Sequence, residues 1–261
     1  MYEYSADFYA YLASFAARSA RVVIPRLTAL LPVRSVVDFG CGQGAWLSAW
    51  QSAGASVVGV DGPYVDRSRL MIDPALFHAA DLGEPIDLGR RFDLVQSLEV
   101  AEHLPATKAE QFIATLTAHG DFVLFSAAVP GQGGENHINE QPLGYWRAMF
   151  RRRGYVAVDC LRPGLVDDGA VEASYRYNML LYVNEAGLGA LPDSLSRWRV
   201  GDDAALADCR PLSNRLRNEL VRRLPLGAVD RLARLKATLA AAQASRALRS
   251  GLRGQPDQKN S

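Results

Sequence analysis

From residue 35 onward, short apolar runs alternate with stretches of helical period. Ser35, Val36, Val37 and Phe39 have strand character around the polar Asp38. The turn Gly40-Cys41-Gly42-Gln43-Gly44 breaks that run, and Ala45-Trp46-Leu47 opens a helix over 45–53 that stops at Gly54. The pattern then predicts strands at Ser56–Val60, Ala75–Ala79, Phe92–Ser97 and Asp121–Ala127, with a helix from Ala106 to Ala118. A polar, glycine-rich loop at Pro130–Gln141 leads to a helix over 143–152. Tyr155–Asp159 and Tyr175–Val183 complete the sheet. Strands that alternate with helices at this spacing imply an α/β fold, a mostly parallel sheet with helices on both faces.

The two ends follow a different pattern. Phe8, Leu12, Phe15, Val22, Val23 and Leu27 fit helical spacing, and Pro25 is expected to start a second helix, since proline suits a first turn. This N-terminal helical cap, 1–31, is rich in aromatic residues; it either packs on the sheet edge or folds over a ligand as a lid. Beyond Asn184 the strand–helix pattern stops. Leu212, Leu216, Leu220 and Leu224, then Leu232, Leu235 and Leu239, recur at helical spacing with arginines between them, which predicts a basic amphipathic helix pair broken at Pro225-Leu226-Gly227. The expected division is 1–31, 32–185 and a C-terminal extension, 186–261, whose last ten residues have the composition of a disordered end.

The net charge is only +1, but its distribution is uneven. From Arg210 onward there are 12 Lys/Arg and 3 Asp/Glu, against 17 and 25 in the rest, so an acidic body carries a basic tail. The acidic body argues against a nucleic-acid partner. Three readings of the tail stay open: packing on the body or self-association, peripheral contact with an anionic membrane face, or binding of RNA or a partner protein. Three cysteines without C-x-x-C spacing, and no signal-like or membrane-spanning run, lead to the expectation of a cytoplasmic protein, peripheral to the inner membrane face if the tail meets lipid.

The glycine turn alone suits any nucleotide, because its glycines let the backbone approach a ligand closely and a helix N-terminus offers free N–H groups. Asp38 narrows the choice. A carboxylate inside the strand just before the turn would repel a pyrophosphate and attract the sulfonium and amino groups of S-adenosylmethionine. Asp61 ends the second strand, 21 residues after Gly40, where a carboxylate can accept from both ribose hydroxyls. Asp81 ends the third strand, where it and the backbone of Leu82 can hold an adenine edge. In Glu99-Val100-Ala101-Glu102-His103, a helical turn would let Glu99, Glu102 and His103 converge. His137 lies in the loop after the fifth strand, so His103 and His137 are both placed to act as a general base.

The order Asp38–Gly44, Asp61, Asp81 and then FDLVQSLEVAEHL resembles the class I S-adenosylmethionine-dependent methyltransferase family, over roughly residues 30–185, about three fifths of the chain. The resemblance implies a Rossmann-like seven-stranded sheet with an antiparallel last strand. It also implies that Asp38, Gly40, Cys41, Gly42, Gly44, Asp61, Gly62, Asp81, Leu82, Ser97 and Leu98 line the cofactor, with Ser97 and Leu98 along its methionine part. The E-x-x-E-H run is similar to the metal motif of ubiquinone-pathway and small-RNA methyltransferases. There the metal binds the substrate hydroxyls and lowers the pKa of the one that attacks. That likeness implies Mg²⁺ or Mn²⁺ on Glu99, Glu102 and His103, and His137, on the neighbouring loop, could complete the shell instead of acting as a base; other family members use a similar run without metal. The stretch from Asn136 to Tyr155 resembles methyltransferases of polysaccharide and natural-product pathways. The expectation is O-methylation of a small molecule or of a sugar or glycan. The alternatives are metal-assisted RNA 2′-O-methylation, N-methylation of a small amine, and an inactive binding subunit that keeps the fold.

Overall fold

The structure, a computed structural model, describes residues 6–201, 204–225, 227–235 and 238–239, with the backbone alone over residues 6–14. The aromatic residues Tyr2 and Tyr4, the side chains of Phe8, Tyr9 and Tyr11, and the C-terminal ten residues therefore lie outside what is described. Strands β1 (Ser35–Phe39), β2 (Ser56–Asp61), β3 (Phe77–Ala79), β4 (Leu94–Leu98), β5 (Phe122–Ser126), β6 (Val156–Val158) and β7 (Leu180–Val183) form one sheet in the order β3-β2-β1-β4-β5-β7-β6. The pairs through β5 are parallel, and β7 runs antiparallel to both β5 and β6. This is the Rossmann-like arrangement expected.

Successive residues of a strand face opposite ways, and both sets are buried here. Val36, Val57, Leu94 and Leu124 pack under α1 (Ala6–Thr28) and α2 (Ala45–Ser52), against Val23, Leu27, Leu47 and Trp50. Val37, Val60, Val95 and Phe125 pack under α3 (Ala109–Ala118) and α4 (Leu143–Arg152), against Phe112, Ile113, Trp146 and Phe150. Burial on both faces is why the central strands read as continuous apolar runs. The rest of the order is α5 (Arg162–Leu165), α6 (Ala173–Asn178), α7 (Glu185–Gly189), α8 (Asp193–Ser196) and α9 (Leu212–Val221), with a further helical stretch over residues 227–235.

Several elements depart from the sequence expectations. Pro25 lies inside α1 and does not start a second helix. A proline inside a helix costs about 3 kcal/mol, but the buried stripe Ala20, Val23, Ile24 and Leu27 spans it and holds the helix against α2. Ala75 and Leu76 belong to a 3-10 turn, Pro74–Leu76, that Asp73 caps by accepting from the Ala75 amide, so β3 begins only at Phe77. Phe92 makes an isolated bridge to Gly120, and β4 starts at Leu94. Tyr175–Asn178 is helical, which sets Tyr175 edge-on to Trp46 at 5.3 Å and leaves β7 only four residues. No described helix is long and apolar enough to cross a membrane.

Candidate active site

The strand order reverses between β1 and β4, and the crevice at such a switch point, outside the strand C-terminal ends, is where α/β sheets bind ligands. The glycine turn sits there. Gly40, Gly42 and Gly44 all have positive φ (88°, 53° and 81°), which L side chains rarely adopt. At Gly40 a Cβ would also fall 2.3 Å from Val100 Cγ2, so the turn is packed directly under the residue after Glu99. At Gly42 the same construction meets nothing within 4 Å, which leaves that side of the turn open. Asp38 pairs across the sheet with Gln96, whose Nε2 donates to Asp38 Oδ2 at 2.9 Å. Burial pushes the Asp38 carboxyl up to about 8; the Gln96 bond opposes the rise and the Asp61 charge adds to it.

Asp61 reaches back to the turn. Its Oδ2 accepts from the Gly42 amide at 2.7 Å, and its Oδ1 accepts from the Gly62 amide at 2.7 Å and from the Tyr64 hydroxyl at 2.6 Å. Burial raises its pKa, and these three donors work against the rise. Asp81 is exposed, two residues past β3, and closes an Asx turn on the Gly83 amide, while Leu82 is buried. Ser97 and Leu98 are buried at the end of β4, and Cys41 is buried inside the turn. Asp38, the glycine turn, Ser97 and Leu98 thus lie on the two strands that flank the switch point or directly after them. Asp61 and Gly62 are tied to the turn from the end of β2, and Asp81 and Leu82 lie beyond the edge strand β3.

The Glu99–His103 run is not the helical turn expected. Glu99 takes a left-handed conformation, φ 57°, and a 3-10 turn covers only Ala101–His103. Glu99 is therefore aimed elsewhere. Its Oε2 accepts from Gln132 Nε2 at 2.6 Å, and Gln132 Oε1 accepts from Asn178. Glu102, His103 and His137 do converge, each presenting a ligand atom within 4.8 Å of the others. Glu102 is fully buried and neither of its carboxylate oxygens has a hydrogen-bond partner. Burial, reinforced by the nearby Glu99 charge, pushes its pKa well above the usual carboxylate range.

The loop after β5 delivers His137. The Ile138 and Asn139 amides both donate to the Glu102 carbonyl at 3.0 Å, which fixes the loop to the 3-10 turn. The loop folds around the Glu140 carboxylate, which accepts from the Gly131 and Gly133 amides and from His137 Nδ1. A carboxylate only accepts, so Nδ1 carries a proton, and Nε2 is the ring nitrogen through which His137 can accept or ligate. That nitrogen lies 4.0 Å from Glu102 Oε1. His103 Nδ1 likewise faces a carbonyl, that of Asn136, at 3.2 Å. Burial, with His137 adding to it, pushes His103 down to about 3, so it is neutral at pH 7. The cluster is therefore rich in lone pairs, and this donor set and its orphaned carboxylate fit a shared cation.

Four participants were not singled out from the sequence. Gln96 is a polar residue inside an apolar strand, a visible signal; it links Asp38 to the Trp50 indole. Glu140 stands three residues after His137. Gln132 and Tyr64 carried no signal. The tail was also unforeseen at the site. Arg217 donates to the Gln132 carbonyl, Asp230 accepts from the Asn136 amide, and Arg234 pairs with buried Glu135 at 3.0 Å. A Cβ on Gly131 would overlap the Asn218 backbone, so α9 lies directly on the loop that carries His137.

A seven-stranded sheet of this order, with an acid-led glycine turn at its switch point, is the architecture of a class I S-adenosylmethionine-dependent methyltransferase. A family model described as a methyltransferase domain matches residues 12–159, more than half of the chain, and the chain belongs to that family. Among curated proteins it is 35% identical to the ubiquinone biosynthesis O-methyltransferase of Methylobacterium nodulans over 91 residues, 31% of this chain and 34% of the relative. It is 26% identical to the protein of the same name from Nitrosomonas europaea over 178 residues, 60% and 74% of the two chains. For Ralstonia nicotianae the figures are 34% over 112 residues, 38% and 45%. The matches thus span from about a third to about three quarters of these relatives. Of solved structures, the sugar N-methyltransferase KedS8 from Streptoalloteichus is 16% identical with a TM-score of 0.51, over 66% of this chain and 87% of that one. DesVI of Streptomyces venezuelae is 16% identical with a TM-score of 0.50, over 70% and 100%. At these identities the likeness is one of fold.

Proposed function

We propose that this chain is an S-adenosylmethionine-dependent O-methyltransferase that acts on a hydroxyl of a small molecule. The observation that carries the oxygen acceptor is the Glu102–His103–His137 cluster beside the glycine turn. The names of the curated relatives support O-methylation and lend none to the sugar or glycan acceptor expected from residues 136–155.

The proposed roles follow the chemistry of each group. The open side of Gly42 admits the cofactor backbone, and Asp61 binds its ribose once the Tyr64 hydroxyl gives way. Asp38 faces the positively charged methionine end, with Ser97 and Leu98 alongside, and Asp81 and Leu82 take the adenine edge. Glu102, His103 and His137 would hold Mg²⁺ or Mn²⁺, which supplies a Lewis acid that lowers the pKa of a substrate hydroxyl. The one lone pair on His137 Nε2 cannot both ligate the ion and take a proton: left off the ion, Nε2 is the base of this chain, and Glu140 stabilises the imidazolium that forms when it takes the hydroxyl proton. The oxygen then displaces the methyl group in line from sulfur, so most of the rate comes from positioning.

The test is methyl transfer to a panel of small hydroxyl, amine and sugar acceptors, followed by mass spectrometry. Gain of one methyl on a small hydroxyl acceptor, diminished by chelator and by Glu102→Gln, is the expected result. Transfer only to amines or sugars, or activity indifferent to both treatments, contradicts the proposal.

A further inference from the structure

The C-terminal helices pack the wrong way round for an ordinary amphipathic pair. In α9 the residues turned to the body are buried Asn218 and half-buried Val221, and the next helical stretch turns Val229, Asp230 and Ala233 inward. At 3.6 residues per turn, the leucines fall on the opposite side of each helix. Leu212, Leu216 and Leu220 are 62%, 59% and 67% exposed, and Leu232, Leu235 and Leu239 are each more than half exposed. Single exposed leucines need no explanation, but two successive rows of them, one on each helical stretch, are the kind of exposed apolar surface that marks an interaction site.

Charge identifies the occupant. Exposed Arg215, Arg222, Arg223 and Arg231 border the leucine rows. A second copy of this chain is disfavoured, because an isologous contact on this face would bring the same arginines against one another. A surface of anionic headgroups over an apolar layer satisfies both features, as leucines enter the acyl boundary and guanidinium groups meet phosphates. The rest of the chain, with 17 Lys/Arg against 25 Asp/Glu up to residue 209, would be repelled by such a surface. That repulsion orients the molecule with its tail toward the lipid.

We infer that the exposed leucines Leu212, Leu216, Leu220, Leu232, Leu235 and Leu239 dock on an anionic phospholipid bilayer. The inference does not depend on the methyl-transfer reading, because binding is scored without turnover. The opposite face of the same helices holds the His137 loop through Asn218, Asp230 and Arg234, so the bilayer and the candidate site share one support.

The experiment is co-sedimentation of the full chain with vesicles of phosphatidylglycerol and phosphatidylcholine, and with vesicles of phosphatidylcholine alone. Binding to the anionic vesicles is expected, together with at least a tenfold loss in the variant L216Q/L220Q/L232Q/L235Q and loss of the anionic preference in R215Q/R222Q/R223Q. Unfolding temperature and S-adenosylmethionine affinity establish that each variant is folded. Absence of vesicle binding, equal binding to both compositions, or undiminished binding by the leucine variant overturns the inference. So does a dimer that the leucine variant dissociates while vesicles bind neither protein.

Discussion

The Gly42 amide donates to Asp61 Oδ2 at 2.7 Å, a bond that ties the glycine turn of β1 to the end of β2 across 19 residues. The Gly62 amide and the Tyr64 hydroxyl are also on this buried carboxylate, so the chain's own hydrogen bonds hold the ends of β1 and β2 together. Asp61→Ala leaves three donors without their acceptor, each at about 1–3 kcal/mol when buried. The expected outcome is a clearly lower unfolding temperature and at least tenfold weaker S-adenosylmethionine binding by calorimetry. Tyr64→Phe removes only the hydroxyl that competes for Asp61, so it should leave cofactor affinity equal or tighter; a large loss would show that Tyr64 itself holds the cofactor.

Gly40 is constrained twice, by its φ of 88° and by Val100 beneath it. Gly40→Ala therefore loses stability and cofactor binding together. Adding Val100→Ala removes the overlap and leaves the backbone strain. The double variant is expected to recover part of the unfolding temperature but not all of it. Full recovery would mean that sterics alone fix the glycine, and no recovery that φ alone does.

These two sites show what was legible in the sequence. The strand runs, the Asp38–Gly44 turn and Asp61 could be read because they depend on local pattern and on topology that follows from it. The antiparallel placement of the last strand came with the family resemblance. Pro25 was misread because propensity at one residue lost to a buried stripe that spans it. Glu99 was misread because spacing assumes a helical turn, whereas one left-handed residue redirected its side chain to Gln132. The inverted packing of the tail was beyond the sequence for a different reason. Periodicity finds two faces on a helix, but only the fold decides which one is covered.

Glu140 sets the tautomer of His137 and folds the loop around itself, so it acts through another residue as a positioning group. Glu140→Gln keeps the shape but removes the charge that stabilises the imidazolium. A 10–100-fold loss of kcat or of Mn²⁺ affinity is the size such outer partners have. The loss should fall on kcat more than on the KM for S-adenosylmethionine. With the imidazolium no longer stabilised by a carboxylate, the acidic limb of the pH–rate profile should move to lower pH if His137 is the base.

Asp38 gives the sharpest test, because in its proposed role its protonation would couple folding to cofactor binding. In the folded, unliganded chain its carboxyl titrates at about 8, against 3.8 for an ordinary aspartate. The folded state therefore keeps a proton that the unfolded state has released. Asp38 favours folding most at low pH, and that contribution is lost as the pH rises from its unfolded pKa through its folded one. Asp38→Asn should flatten this decline in a plot of unfolding free energy against pH. A positively charged methionine end favours the ionised form, so binding below pH 8 must expel the proton. Affinity for S-adenosylmethionine should rise by up to about tenfold per pH unit toward 8 and then level off. Calorimetry in buffers of different ionisation enthalpy should detect close to one proton released near about pH 6.5 and almost none above about pH 9. Gln96→Leu, which removes the bond that lowers this pKa, should carry the plateau to higher pH. An affinity that does not vary with pH, or varies equally in Asp38→Asn, would place the cofactor's charge away from this carboxylate.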